Sequence, residues 1–311
     1  MANEDIILKK YNKKFLLPVY SGTLAIEGVL KSLNLDSSAK VLITNVVCHS
    51  ILQAILNANL TPVIAIPQNG LTLSEKEIEE IVKNEKIKVF IAVHQYGYVQ
   101  KIVKIKDLII IEDISQAWNI KPSNSFVGEY SDYIITSLGN TKPLNNGIGG
   151  LILSNINFIT KFDIKKRECR DSKNPLIEYY YSLDINYKKI VKRADRKVAR
   201  QRNNVMKFKK ILSKYDFIRE ASEYDGTPSY HRYPIYIKQK EYERLLQIMD
   251  KCKISYQKEY KKKLNDINLV KDNNIKVIGN TVIDKCVLIK TNNKYLNIKK
   301  FDLEMRRNYE S

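Results

Sequence analysis

Six short, almost wholly apolar runs recur between residues 40 and 154: "KVLITNVV" (40–47), "TPVIAI" (61–66), "IKVFIAVHQYG" (87–97), "DLIIIED" (107–113), "DYIITS" (132–137) and "GGLILS" (149–154). Between and before them lie segments with apolar residues at helical spacing: "SGTLAIEGVLKSLNL" (21–35), "SILQAILNAN" (50–59) and "SEKEIEEIVKNEK" (74–86). The last opens on a Ser cap, carries acid in its early turns and ends in lysines, as a helix should. Short, continuously apolar strands alternating with helices predict an α/β fold whose mainly parallel sheet is buried on both faces. Ligands of such sheets sit at the C-terminal ends of the strands. The polar residues just past each strand are therefore the informative ones.

The rest of the chain reads differently. Residues 185–215 predict one or more long basic helices, 229–237 and 286–292 strands, and 240–254 and 297–309 helices. The expected division is a large domain over 1–195 and a small α+β domain over 196–311. Charge divides in the same way. Residues 1–155 hold 15 Lys/Arg against 14 Asp/Glu, and the remainder 38 against 20, so nearly all of the net +19 lies in the second half. That suits a polyanion or an anionic substrate, or else a lysine-rich proteome. No zinc-finger spacing or aromatic-glycine RNA-binding signature accompanies the charge, so nucleic acid is not the expected partner. No apolar run approaches the ~18–20 residues of a membrane span. The N-terminus has no secretory pattern. Cys48, Cys169, Cys252 and Cys286 are widely spaced, with only three His in the chain, so neither a disulfide framework nor a zinc site is expected. The cytoplasm is the expected compartment.

Four features lie just past strands or at a helix start. Lys142 sits in "SLGNTKPLNNGIGG" (137–150), with Pro143 biasing it toward extended backbone and turn-forming Asn-Asn-Gly and Gly-Gly steps following. It is either a lysine held to point at something or an ordinary loop lysine. Asp113 ends "LIIIED"; a carboxylate there needs a cation unless it is a cap or lies at the surface. "YSGT" (20–23) opens a helix with small residues, a weak signal for an anion site. Ser137 follows "DYIIT". A lysine, a buried aspartate and a phosphate cradle together describe pyridoxal 5′-phosphate (PLP): the amine forms a Schiff base, the aspartate keeps the ring nitrogen protonated, and the helix start with Ser137 holds the phosphate.

With these segments in order, and more faintly "YHRYPIYI", the chain resembles the DegT/DnrJ/EryC1/StrS sugar aminotransferases, fold-type I PLP-dependent enzymes. The strong part covers residues 20–155. The resemblance implies that Lys142 is the Schiff-base lysine, Asp113 the pyridinium partner and Gln116 the residue beside the ring oxygen. It also implies that Ser137, Gly22 and Thr23 are phosphate ligands. His94 matches a family position whose role stays open, with a satisfied structural histidine as the alternative.

Three departures accompany the resemblance. The aromatic ring expected over the cofactor falls on Cys48, with His49 next door as the substitute. The family usually runs longer, and the deficit falls after Gly150, where an Asn in a G-x-N-x-R stretch normally reaches a neighbouring subunit's site; Asn186 in "DINYKK" is the candidate here. The "WN" after Ala117 is expected to narrow the sugar pocket. The implied activity is transfer of an amino group from glutamate to a nucleotide-linked keto-sugar for a bacterial surface polysaccharide or glycoconjugate, by a homodimer. The alternative is a shortened relative that binds PLP or a partner without transaminating.

Overall fold

The computed structural model describes residues 4–68, 70–157, 184–220, 226–258, 270, 273–279, 285–293 and 296–310. In chain order the elements of the first half are α1 (Asp5–Tyr11), β1 (Phe15–Val19), α2 (Gly22–Ser32), β2 (Lys40–Thr44), α3 (His49–Asn57), β3 (Thr61–Ala65), α4 (Glu75–Glu85), β4 (Ile87–Val93), β5 (Ile109–Asp113), β6 (Tyr133–Ser137) and β7 (Gly150–Ser154). There follow α5 (Tyr187–Leu212), β8 (Ile218–Glu220), β9 (Tyr233–Ile237), α6 (Tyr242–Lys251), β10 (Tyr256–Lys258), β11 (Lys276–Ile278), β12 (Lys285–Ile289) and α7 (Ile298–Tyr309).

The large sheet has the order β1-β7-β6-β5-β4-β2-β3-β11. Five of its pairings are parallel; β7 runs antiparallel to both β1 and β6. Strand periodicity sorts the apolar residues onto two faces. Val41, Ile43, Val89, Ile91 and Ile111 pack under α2 and α3, while Leu42, Phe90, Ala92 and Ile110 pack with Ile78 and Val82 of α4. This is the physical reason for the continuous apolar runs: neither face is wet. Ser74 forms a reciprocal capping box with Glu77 at the start of α4.

The smaller sheet, β10-β12-β9-β8, is wholly antiparallel and packs against α6, α7 and the end of α5. The expected boundary at 195/196 falls inside α5, an unbroken 26-residue helix. Its first turns (Ile190, Ala194, Val198) join the core around β7 and Trp118, and its last turns (Val205, Phe208, Leu212) join the small-sheet core. Polar side chains in the middle of α5 bind loops on both sides: Arg202 donates to the carbonyls of Asn119 and Pro228, and Asn204 to those of Thr291 and Asn293. β11 also crosses the expected division, since it pairs with β3 in the large sheet.

Candidate active site

The start of α2 meets the ends of β5 and β6. A Cβ on Gly22 would lie 2.9 Å from the Ser137 Cβ, and one on Gly150 2.7 Å from the Ser21 carbonyl. Glycine at both positions lets the helix start this close to the strand ends. Ser21 is the N-cap, its Oγ accepting the Leu24 N–H at 3.2 Å. Gly22 and Thr23 border a cavity of about 200 Å³, which Ser137, Asp113, Gln116 and Lys142 also line. The first N–H groups of a helix lack intrahelical acceptors, and its dipole favours an anion. The weak signal in "YSGT" therefore contains a cap, with helix-start N–H groups beside the cavity.

Asp113 ends β5, is only 5% exposed, and accepts the Ser115 N–H at 2.8 Å through Oδ1. Burial pushes its carboxyl above the usual carboxylate range, against the opposing effects of the Ser115 bonds and the Lys142 charge. Such a group gains from a cation placed against it. Lys142 is half-buried at the end of a turn closed by its own N–H on the Gly139 carbonyl. The loop around it is held by its own bonds. Leu138 donates to Gly149, Asn146 to Leu138, Asn145 Nδ2 to the Asn140 carbonyl, and Gly147 to Asn145 Oδ1. The small polar residues that made this stretch conspicuous are the fastenings that present the lysine. Gln116 Nε2 donates to Gln95 Oε1, and both line the cavity.

Two of the expected residues lie outside this cavity, one of them, Asn186, being expected at a neighbouring subunit's site rather than at this one. His49 is exposed in the first turn of α3, while Cys48 before it and Ile51 one turn on line the wall. The extended backbone of the N-cap thus puts the cysteine, not the histidine, at the site. Asn186 is the exposed N-cap of α5, its Oδ1 accepting the Lys189 N–H at 2.9 Å. Trp118 does not narrow the pocket either. It is 1% exposed in the core, its indole N–H donating to Asp195 of α5 at 2.7 Å. His94 is a satisfied buried histidine: its Nδ1 accepts the Gln100 N–H and its Nε2 bonds Glu112. Sequence reasoning missed Ser115, which holds Asp113, and Lys197, whose Nζ donates to the carbonyls of Thr141 and Lys142 at 3.3 and 3.1 Å. Lys197 stands in a run of basic helix residues with nothing to set it apart.

A large, mostly parallel α/β sheet joined to a small antiparallel domain is the fold of the PLP-dependent sugar aminotransferases. The model of the DegT/DnrJ/EryC1/StrS aminotransferase family matches residues 4–162, and the chain belongs to this family. It is similar to the GDP-perosamine synthase of Escherichia coli O157:H7, 24% identical over 159 residues, which are 49% of this chain and 43% of the synthase. The chain thus aligns with less than half of that curated relative's length. Among solved structures it resembles a DegT DnrJ EryC1 StrS aminotransferase from Brucella abortus (TM-score 0.78, 14% identity, 99% of this chain and 90% of the other). It also resembles the E. coli GDP-4-keto-6-deoxy-D-mannose-3-dehydratase with bound hydrated PLP (TM-score 0.77, 15% identity, 97% and 89%). At these identities the structures show a shared fold.

Proposed function

We propose that the chain is a PLP-dependent aminotransferase that moves an amino group from glutamate to a nucleotide-linked keto-sugar. The observation that carries this reading is the convergence of Lys142, Asp113 and the α2 cradle on one cavity. These residues fit the cofactor on their own chemistry. The buried Asp113 carboxyl is short of a cation, which a protonated ring nitrogen supplies. The start of α2 offers backbone donors to a phosphate, and Thr23 and Ser137 add hydroxyls. Lys142 offers an amine at the same opening.

Bound there, PLP supplies an aldehyde that condenses with amines and a ring that delocalises an electron pair left on carbon. Lys142 takes and returns the proton of the donor's α-carbon as general base and acid. Asp113 keeps the proton on the ring nitrogen. Gln116, tethered by Gln95, would lie beside the ring. The perosamine synthase likeness supports a nucleotide-sugar acceptor, and we place the product in surface polysaccharide or glycoconjugate synthesis by a homodimer. No helix among the described residues is long and apolar enough to cross a membrane. The free thiols of Cys48 and Cys252 suit a reducing cytoplasm.

A second reading, cofactor binding without transamination, draws on one observation: the exposed Cys48 thiol lines the cavity where the family resemblance leads one to expect an aromatic ring. Absorbance spectroscopy separates the two. An aminotransferase binds PLP with a visible band that glutamate bleaches. A yellow protein indifferent to every amino donor supports the second reading. Borohydride reduction and peptide mapping locate the attachment; an adduct on any lysine other than Lys142 overturns the site.

A further inference from the structure

The helix α5 carries charge out of proportion to the rest of the fold. Eleven of its 26 residues are Lys or Arg, and one, Asp195, is acidic. Three of the cations are tied to the protein. Lys197 donates to the Thr141 and Lys142 carbonyls, Arg202 to those of Asn119 and Pro228, and Lys209 pairs with Glu220 at 2.8 Å. Asp195 is taken by the Trp118 indole. The other eight cations run from Lys188 to Lys210, and none of their side chains has a hydrogen-bond or ion-pair partner among the described residues.

Helix phase gathers these eight on one side. At about 100° per residue they fall within an arc of about 140°, and from first to last they extend about 33 Å. The opposite side is fixed in the two cores through Ile190, Ala194, Val198, Val205 and Phe208, so the stripe faces outward. The remaining exposed residues of the arc are Ala199, Asn203 and Met206, the last 62% exposed.

This arrangement works against the helix that bears it. Lys188, Lys192, Arg196 and Arg200 follow one another at intervals of four, where like charges repel. The first turn holds Lys188 and Lys189 and no acid, at the end whose dipole favours anions. Neither cost is met by a countercharge among the described residues. An extended anionic surface relieves both.

We propose that the outward side of α5 is a docking surface for an anionic phospholipid membrane, with the helix lying along the headgroups and Met206 reaching toward the acyl boundary. The association is peripheral, needs no spanning helix and does not depend on the cofactor reading. A straight row of fixed cations matches mobile anionic headgroups, which can collect beneath it. The arc has no aromatic side chain on which bases could stack, which sets lipid ahead of nucleic acid. A second copy of the chain would bring two stripes of like charge together.

Flotation tests this, with the purified full chain and vesicles of either phosphatidylcholine alone or equal parts phosphatidylcholine and phosphatidylglycerol. The protein should float with the second only, and salt should release it as the Debye length shortens. Each basic residue near an anionic surface contributes roughly fivefold in partitioning, so the triple variant Lys192→Gln, Arg196→Gln, Lys207→Gln should lose about a hundredfold, with an unaltered melting temperature. A second triple variant, Lys83→Gln, Lys88→Gln, Lys104→Gln, makes the same change in net charge at exposed sites of the first half and should bind to within a few-fold of the unaltered protein. Equal binding to both kinds of vesicle overturns the proposal, as does an α5 variant that binds as tightly as the unaltered protein, or equal loss in the two variants. An RNA or DNA oligonucleotide that binds more tightly than the vesicles at the same salt, and is lost in the α5 variant, replaces the membrane with nucleic acid. A change of oligomeric state in that variant, read by light scattering, assigns the stripe to contacts between copies of the chain instead.

Discussion

Glu112 and Asp113 are consecutive residues of β5 and project to opposite faces of the large sheet, where they meet different surroundings. On one face Glu112, 2% exposed, has both oxygens occupied: Oε2 by the His94 Nε2–H at 3.0 Å and Oε1 by the Gly128 N–H at 2.7 Å. The Gln100 N–H on His94 Nδ1 sets the tautomer that makes this possible. Lys13 bonds the Gly128 and Ser131 carbonyls beside it. On the other face Asp113 has Ser115 and the field of Lys142, and burial still raises its pKa. One carboxylate is closed into the fold, and the other is held by Ser115 and borders the open cavity. Burial alone does not mark a functional acid; the state of its acceptors does.

The largest expected break in this comparison is Asp113→Asn. The amide keeps the hydrogen bond to Ser115 but cannot hold a proton on a ring nitrogen. PLP should remain bound while turnover falls on the order of 10²–10³-fold, the scale of losing one positioned electrostatic group. Stopped-flow measurement of the glutamate half-reaction reads it. Near-normal turnover would mean that Asp113 is a structural acid like its neighbour.

Glu112→Ala should show the opposite pattern. It leaves the His94 and Gly128 N–H groups without acceptors in a buried site, and the expected loss is about 2–5 kcal/mol of unfolding free energy. Urea titration of the apoprotein measures this. The folded fraction should still bind PLP and react with glutamate at a rate within a few-fold of the unaltered protein. A large catalytic loss at unchanged stability would transfer Glu112 to the chemistry of the site.

Much of this contrast was legible in the sequence. "LIIIED" places two acids at a strand end, and a period of two sends them to opposite faces. The lysine after β6 and the small residues at the start of α2 follow from where ligands bind in α/β sheets. Other features had no local signal. β11 is three residues, "KVI", made a strand only by pairing with β3. The role of α5 as a spine shared by two cores comes from tertiary packing, so composition put a boundary where the helix is continuous. Trp118 was expected to narrow the pocket because "WN" departs from the residues common in the family there, but its indole has a partner in Asp195, 77 residues away. His49 and Cys48 differ only in which side of the helix start they fall on, which a strand-to-helix turn of unknown length does not reveal.

A smaller effect concerns the cations on the Asp113 face. Lys197, pushed down to about 8 from its ordinary 10.5 by burial, Arg232 and Lys142, should lose its charge within the working range of many assays. The sign of its effect on stability follows from that shift. Between about pH 8 and 10.5 the unfolded chain holds a proton that the folded chain does not, so this residue's contribution rises with pH across that window. The cost of its buried charge is fully present below pH 8. Urea titrations of the unaltered protein and of Lys197→Gln across that window measure it, and a difference between the two that does not change with pH would show that Lys197 acts only through its carbonyl bonds.

The smallest effect tests how open the Asp113 face is. Glu112 borders only a smaller cavity of about 110 Å³ and has both oxygens bonded, whereas the cavity beyond Asp113 has the exposed Cys48 thiol on its wall, bonded by Ser50 at 3.0 Å. A thiol covers little of a planar ligand, and a ring at the same position would stack on it. Aromatic stacking contributes about 0.5–1.5 kcal/mol beyond area burial, which is roughly two- to tenfold in affinity. Cys48→Phe is therefore expected to tighten PLP binding by that factor, measured by fluorescence titration of the apoprotein, while Cys48→Ser leaves it unchanged. The same gain should be absent for pyrophosphate, which has no planar face. If Cys48→Phe binds PLP no better than Cys48→Ser, the ring plane does not lie against the start of α3, and the cofactor must be turned toward Gln116 and Gln95 instead.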